Sequence, residues 1–404
     1  MTVAIIAEFN PPHTGHAHLI SAVREHFGDD VCVLVLLSGN YVQRADFAIV
    51  DSYTRGAGAL AIGADLVLEL PFPWSCGTAQ IYAESAIRTL DALSAVDYLA
   101  FGSESGNLSL LSSIASYLSS SSFYGDAERM RHTEPTKSYA QIRTALIAKH
   151  FSQEAADISS QPNNILALEY LLALSRMGSR ILPYTIQRLG SYHSTTNEKN
   201  AFPSSSAIRE QIGQNLISEI EPYLSAEFYS LLQMSLANGI APAQMSRISS
   251  AIISDLRRRA RKEDFSQYCE VDRGFSYQMK AALDRCADFP EFISLLKTKH
   301  LTDAHIRRAV LYTYFGVTSS EMHSSPAFTR VLAADSRGRE RLKYIKQHST
   351  YPVFSCPSDM FRLHDESLRQ AAERADFADS LYLLSLPKPR CAAELLRYQP
   401  KISE

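Results

Sequence analysis

Val3-Ala4-Ile5-Ile6-Ala7-Glu8-Phe9-Asn10-Pro11-Pro12-His13-Thr14-Gly15-His16 stands at the start of the chain and decides its fold. An apolar run ends at Glu8, a Pro-broken turn follows, and helical sequence resumes at Gly15. A strand feeding a turn and a helix start is the local form of an α/β nucleotide site. A helix start offers free backbone N–H groups and a partial positive charge, hence an anion site. His13 and His16 add side-chain donors, and Gly15 lets backbone approach a ligand without a Cβ. These residues suit ATP phosphates, and His13 and His16 are the candidate catalytic pair. Taken alone, the four-residue pattern is also compatible with an ordinary core or surface histidine pair.

Outward from this turn, strand and helix patterns alternate. Residues 3–8 predict the first strand and 15–26 the helix after it. Val31–Leu37 is continuously apolar and β-branched, as in a strand covered on both faces. Helical sequence at 52–62, a strand at Asp65–Leu70, a helix near 78–92 and a strand at Tyr98–Phe101 follow. A helix at 163–176 and a strand at Ile181–Ile186 complete the series. The alternation implies a Rossmann-like α/β domain with a parallel sheet, whose ligands bind beyond the carboxyl ends of the strands. His13–His16, Ser38–Asn40 and Gly102–Glu104 all fall there.

Beyond about residue 215 helical patterns dominate, at 217–235, 243–262, 276–297, 302–314, 325–333, 336–347 and 364–382. The reading is therefore residues 1–215 as the α/β domain and 216–404 as a mainly helical one. A chain of 404 residues makes two domains the default. No run of about 18 uncharged apolar residues occurs, so no membrane span is expected. Met1 leads straight into a strand, which argues against a signal peptide and for a cytoplasmic protein. Six scattered cysteines, none in a CxxC pair, read as reduced core thiols.

The net charge of -3 hides a polarised chain. Arg257, Arg258, Arg259, Arg261 and Lys262 lie within six residues, and Lys297, Lys299, Arg307 and Arg308 form a second basic zone. Arg337, Arg339, Arg341, Lys343 and Lys346 form a third. Such clusters suit a phosphate backbone, although solvated helix faces have the same composition.

His13-Thr14-Gly15-His16 resembles the HIGH-type signature of the nucleotidylyltransferase superfamily, whose histidines contact ATP phosphates as an adenylate forms and pyrophosphate leaves. Phe202-Pro203-Ser204-Ser205-Ser206-Ala207-Ile208-Arg209 resembles the Ser/Thr-rich motif with a trailing Arg of small adenylyltransferases. Ser205 and Arg209 suit β/γ-phosphates and the departing pyrophosphate, while helix capping and an exposed Arg are the plainer alternative.

Further blocks follow in order. They are Ala7–His16, Leu37-Ser38-Gly39-Asn40-Tyr41-Val42-Gln43-Arg44, Ala64–Pro71 and Phe101-Gly102-Ser103-Glu104. Pro162-Asn163-Asn164-Ile165-Leu166, Thr185-Ile186-Gln187-Arg188 and Lys297-Thr298-Lys299 continue the set. Together, over nearly the whole chain, they resemble the tRNA(Met) cytidine acetate ligase family. The resemblance implies a ligase of tRNA modification: acetate and ATP give acetyl-adenylate, and the acetyl group passes to N4 of the wobble cytidine of elongator tRNA(Met), making N4-acetylcytidine. It implies a nucleotidylyltransferase-like domain joined to a helical tRNA-binding region. It places the ATP loop on Ala7 to about Leu19, including Ala7, Glu8, Phe9, Asn10, Pro11 and Gly15, with further contacts at Gly102, Asn163 (in preference to Asn164) and Arg188.

Ser38 and Gly39 join the nucleotide-contact candidates as strand-end residues. Arg44 suits phosphate or the tRNA backbone, or else an exposed ion pair. The usual Gly-Glu-Pro after this arginine is Ala45-Asp46-Phe47 here, which keeps the acidic character in a less tight turn. Glu8 orients the turn or the acyl acceptor, or serves a structural hydrogen bond. Asn163 falls at an apparent helix N-cap, a position Asn also takes for structural reasons. No residues show metal-ligand spacing, so Mg2+ would arrive with ATP, held by phosphates and water. A small-molecule cofactor adenylyltransferase is the alternative function, and an RNA-binding protein with a degenerate catalytic domain a third. The basic helical half has no evident job in the former, and intact His13, Gly15 and His16 speak against the latter.

Overall fold

The computed structural model describes residues 1–188, 203–298 and 301–403. Its strands are β1 (Thr2–Ala7), β2 (Cys32–Ser38), β3 (Tyr41–Val42), β4 (Asp46–Phe47), β5 (Leu66–Leu70), β6 (Tyr98–Ser103), β7 (Leu182–Gln187), β8 (Thr329–Ala334), β9 (Val353–Phe354) and β10 (Lys401–Ile402). The main sheet has the order β10-β8-β5-β2-β1-β6-β7, with β9 paired to β8. β5, β2, β1, β6 and β7 are mutually parallel, with Val3 opposite both Val33 and Tyr98.

Every residue of β2 is buried. Leu34 and Leu36 pack into one core and Val33, Val35 and Leu37 into another, so apolar residues cover both faces. This is why the run carries no period-two alternation. Strand order turns at β1: the chain proceeds outward to β2 and β5, then returns to place β6 and β7 on the other flank. The carboxyl ends of β1 and β6 therefore form the crevice where open α/β sheets bind ligands.

The second half of the chain departs from a purely helical module. Residues 325–333, read as helix, contain all but the last residue of strand β8, every residue of which is buried. A fully buried apolar run loses the alternation that would mark it as strand, so its Leu and Ala content suggests helix. β8 pairs antiparallel with β5, Leu66 opposite Ala334. The sheet is therefore mixed, and residues 1–215 alone do not complete it. Arg330 of β8, only 5% exposed, donates to Glu69 of β5 and to Asp379 of the helix Glu366–Leu384. Asp379 also accepts from the Asn40 amide at 2.8 Å.

Between β6 and β7 the chain inserts four helices, Leu108–Leu118, Ser121–Thr133, Tyr139–His150 and Gln153–Ser159, before Pro162–Met177. Elsewhere in the second half helices prevail, including Ser249–Ala260, Arg273–Leu283, Phe289–Leu296 and Asp303–Phe315. Cys32, Cys76, Cys269 and Cys286 are buried free thiols. Cys356 is half-buried and Cys391 exposed, so these two are not core residues. Among the described residues no helix is long and apolar enough to cross a membrane.

Candidate active site

The turn after β1 is built from its own side chains. His13 caps the helix Thr14–Phe27: the Gly15 N–H donates to His13 Nδ1 at 3.0 Å, and the His13 N–H donates to His16 Nδ1 at 3.2 Å. Two imidazoles thus perform the reciprocal capping usually left to Ser and Glu. The rings lie 3.9 Å apart, and Phe9, itself buried, sets its ring 4.5 Å from that of His16. Phe9 holds φ of 42°, a conformation that a bulky side chain adopts only where the surroundings enforce it.

One enforcing group is Arg55. Fully buried, it donates to the carbonyls of Glu8 at 2.6 Å, of Val50 at 3.0 Å and of Gly39. Asn10 Oδ1 accepts from Ile49 N–H at 3.0 Å, and the Glu8 carboxylate accepts from Gln43 N–H at 3.0 Å. The last bond ties the turn to the β3–β4 hairpin.

Opposite this turn, β6 and β7 supply the second wall. A Cβ on Gly102 would stand 3.0 Å from the Arg188 Cγ, so glycine leaves the space through which that side chain passes. Glu104 accepts from Asn163 N–H and Nδ2–H and from Asn164 N–H, at 3.1, 2.7 and 2.9 Å. It thereby satisfies the start of the helix Pro162–Met177. The N-cap of that helix is Gln161, with Pro162 at its first position, so Asn163 lies two residues further in than its sequence suggested. Asn163 faces the cavity and Asn164 is fully buried. The helix Ser205–Gly213 closes the third side: Ser204 caps it, accepting from Ala207 N–H, and Arg209 donates to the Asn10 carbonyl at 2.7 Å and to Ser206 Oγ at 3.0 Å.

These walls enclose a cavity of about 610 Å³. Its electrostatics follow from burial. Desolvation and then the Arg188 guanidinium push the His13 imidazole down to about 4. Burial, His13 and Arg188 lower His16 well below the usual histidine range. Both rings are neutral at neutral pH, and since each Nδ1 accepts a hydrogen bond, each proton resides on Nε2. The pair is thus two fixed N–H donors rather than two cations. With Arg188, Arg209 and two helix starts, they can bind a polyphosphate and stabilise charge developing on it.

Of the sequence-predicted residues, the structure gathers Ala7, Glu8, Phe9, Asn10, His13, Gly15, His16, Gly102, Asn163, Arg188, Ser205 and Arg209 on this cavity, with Arg44 and Arg307. Pro11, Ser38 and Gly39 do not line it. Ser38, fully buried, shares a hydrogen bond of 3.1 Å with the Tyr82 hydroxyl, and a Cβ on Gly39 would stand 2.5 Å from Glu69 Oε1. Strand-end position alone brought these two forward, but both are spent on packing.

Sequence reasoning missed Gln43, Asp46, Tyr82 and Tyr170, and placed Glu104 and Ser206 in ligand-end segments without naming them as contacts; all six face the cavity. Glu104 closed a quoted block and was readable. Tyr82 and Tyr170, on mid-helix positions, carried no motif.

Several cations of the first two basic clusters are engaged by the protein itself. Arg257 donates to the Leu283 and Cys286 carbonyls, and Arg258 pairs with Asp255. Arg259 bonds Glu263, Tyr268 and the carbonyls of Thr313 and Tyr314. Arg308 pairs with Glu270 at 2.9 Å and Lys297 with Asp303 at 3.0 Å. Arg261 and Lys262 are exposed, and Lys299 lies outside the described residues. In the third zone Arg337 pairs with Asp65 at 3.7 Å, near the amino end of β5 and across the sheet from the cavity. Among the described residues no cluster of three or more His, Cys, Asp or Glu side chains is arranged to hold a metal ion.

A neutral histidine pair capping the helix after the first strand, at the switch point of the sheet's parallel strands, defines the class. Residues 1–393 match the HIGH nucleotidyl transferase family. The chain is 31% identical to the tRNA(Met) cytidine acetate ligase of Halothermothrix orenii, over 87% of this chain and 86% of that protein. It is 32% identical to that of Syntrophomonas wolfei, over 96% and 95%. It belongs to the tRNA(Met) cytidine acetate ligase family, a family of enzymes. The fold agrees: Thermotoga maritima TmcAL, crystallised with alpha-thio ATP, superposes with a TM-score of 0.89 at 24% identity, covering 100% of this chain and 99% of that one.

Proposed function

We propose that the protein forms acetyl-adenylate from acetate and ATP and then acetylates N4 of the wobble cytidine of elongator tRNA(Met). The observation that carries the first step is the neutral His13–His16 pair facing the same cavity as Arg188 and Arg209. The cavity fits the nucleotide: N–H groups of two helix starts, two Nε2–H donors and two guanidiniums converge where a polyphosphate would lie. The acetate carboxylate attacks the α-phosphorus, the bond to the bridging oxygen of pyrophosphate breaks, and pyrophosphate leaves with the electron pair. His13 and His16 stabilise the added negative charge without giving up protons, and Arg188 and Arg209 receive the departing pyrophosphate. Gly102 and Asn163 lie where they can meet the nucleoside. Mg2+ would arrive with ATP, held by phosphates and water.

Activation is what the second step requires, because the cytidine N4 lone pair is delocalised into its ring. Residues 1–215 are assigned the activation step and 216–404 the tRNA, with β8 anchoring the second part in the sheet. Arg44 and Arg307, on the cavity rim, and Arg261 and Lys262, exposed in the helical half, are the assigned tRNA contacts. The reading places the enzyme in the cytoplasm, where its substrates are.

The test uses purified protein. Acetate-dependent exchange of labelled pyrophosphate into ATP should occur without tRNA, and labelled acetate should appear on the cytidine base of elongator tRNA(Met). Exchange without acetate, or label on a small-molecule acceptor, would overturn the reading.

A further inference from the structure

A second cavity, of about 480 Å³, adjoins the first. Asp46, Phe47, Arg209 and Arg307 line both. Its far wall comes from the helical half: Met245, Phe289 and Ile293 are apolar, and Gln244 and Ser246 stand exposed at its rim. The nucleotide does not need this space, since His13, His16, Arg188 and the two helix starts face the first cavity alone and only Arg209 of the phosphate-binding groups faces both. Apolar walls with a few polar edges and flanking guanidiniums are what a splayed-out base and its phosphodiesters require.

Asp46 stands where the cavities meet. It lies on the β3–β4 hairpin, where Val42 pairs with Asp46 and Ala45 N–H donates to the Val42 carbonyl at 2.8 Å. Oδ1 accepts from the Phe47 N–H at 2.8 Å, which orients the carboxylate of this exposed residue and engages one of its two oxygens. The Glu8–Gln43 hydrogen bond holds the same hairpin to the ATP turn. The Arg307 Nε–H reaches the Arg44 carbonyl at 3.4 Å, bringing the helix Asp303–Phe315 to the hairpin tip.

Resting on the function proposed above, we propose that the second cavity receives the acceptor pyrimidine nucleoside, extruded from a single-stranded RNA loop, and that Asp46 accepts the proton of its exocyclic amine. The amine nitrogen bonds to the acetyl carbon, and the bond from that carbon to the adenylate phosphate oxygen breaks. AMP leaves with the electron pair, and the amine proton passes to Asp46 Oδ2. Phe47 and Phe289 flank the base, and Arg209 and Arg307 neutralise the neighbouring phosphates.

The test compares two half-reactions in the same preparations: acetate-dependent pyrophosphate exchange, and single-turnover acetyl transfer from preformed acetyl-adenylate to unmodified elongator tRNA(Met). Ile293→Trp fills the cavity from within, and Ser246→Trp obstructs it from an exposed rim position that tolerates the ring. Each should lower transfer by about tenfold or more relative to exchange. Asp46→Asn should lower transfer by about 10²-fold while acetate-dependent exchange falls far less. Equal losses in both half-reactions, or parental transfer in folded Ser246→Trp, would overturn the subsite. Near-parental transfer in Asp46→Asn would remove the carboxylate from proton transfer. Should the unaltered protein show no acetate-dependent exchange, the underlying function fails, a result distinct from either of these.

Discussion

Arg188 and Arg209 face a cavity, whereas Arg257 and Arg259, in a far more basic stretch, face carbonyls and carboxylates of their own protein. The first two are scattered in a sequence that draws no attention by charge. The others sit in the densest run of positive charge in the chain. The contrast shows that charge density marks a solvated or capped helix as readily as a ligand site. What separates the two is whether the fold supplies internal acceptors. In the helical half it does: the ends of the helices Arg273–Leu283 and Asp303–Phe315 offer carbonyls, and Glu263 and Glu270 offer carboxylates. At the carboxyl end of the sheet Arg209 keeps a face on the cavity while it donates to the Asn10 carbonyl and Ser206 Oγ, and Arg188 lines the same space, so both guanidiniums are presented to a ligand.

The largest effect is expected at the extreme of the internally committed class. Arg330 bonds two carboxylates, Glu69 and Asp379, in the interior. Arg330→Ala strips both of their cation and should cost about 3–5 kcal/mol of stability. Equilibrium unfolding in urea would measure it through a lowered midpoint at unchanged slope. A loss below about 1 kcal/mol, the range of exposed pairs, would show that water reaches the network and would erase the distinction between the two kinds of arginine.

At the cavity the effect should appear in rate. His13→Ala or His16→Ala removes one fixed Nε2–H donor and should slow acetate-dependent pyrophosphate release by about 10²–10³-fold. His13→Ala also removes a helix cap, at a cost of about 1 kcal/mol, so folding should persist. Near-parental release from both variants would strip the pair of its role.

The same pair makes a prediction about pH. His13 titrates at about 4 in the folded protein, against an ordinary value of 6.5. Between these values the unfolded chain binds more protons, so stability is fully present above 6.5 and falls as pH drops toward 4. Adenylation should therefore show no histidine-like inflection near 6.5, and a thermal melt series should show weakening between 6.5 and 4 that His13→Gln reduces. A melting temperature in the parent that is flat across this window would mean the ring is not held neutral by burial.

Much of this was legible before the structure. The parallel strands and their connecting helices lie within a residue or two of their sequence positions, because turn residues and buried apolar runs mark them plainly. The His13–His16 turn was readable because capping, phosphate binding and glycine spacing all favour the same residues. β8 was not, since full burial erased its alternation. The four-helix insert after β6 passed unread, and Ser38 and Gly39 were overread: a strand-end position says where a residue is, while its neighbours decide what it does. The commitments of Arg257, Arg259 and Arg308 depend on acceptors distant in sequence, which no local pattern displays.

The smallest effect concerns two cations of the helical half that stand exposed beside the internally bonded arginines. Arg261 and Lys262 are exposed just beyond the helix Ser249–Ala260. If they meet tRNA phosphates, the double variant Arg261→Ala/Lys262→Ala loses two contacts and the counterion release that accompanies them. The slope of log affinity against log salt should then fall by about 1.4–1.8 in magnitude, with only a severalfold loss of tRNA affinity at moderate salt. Acetate-dependent pyrophosphate exchange without tRNA should stay parental. Arg259→Ala makes the control: its side chain is nine-tenths buried, so it should lower the unfolding midpoint and leave the salt slope alone. An Arg259→Ala protein that is stable but binds tRNA with a shallower slope would reverse the assignment, making the buried arginine the contact and the exposed pair a solvated helix end.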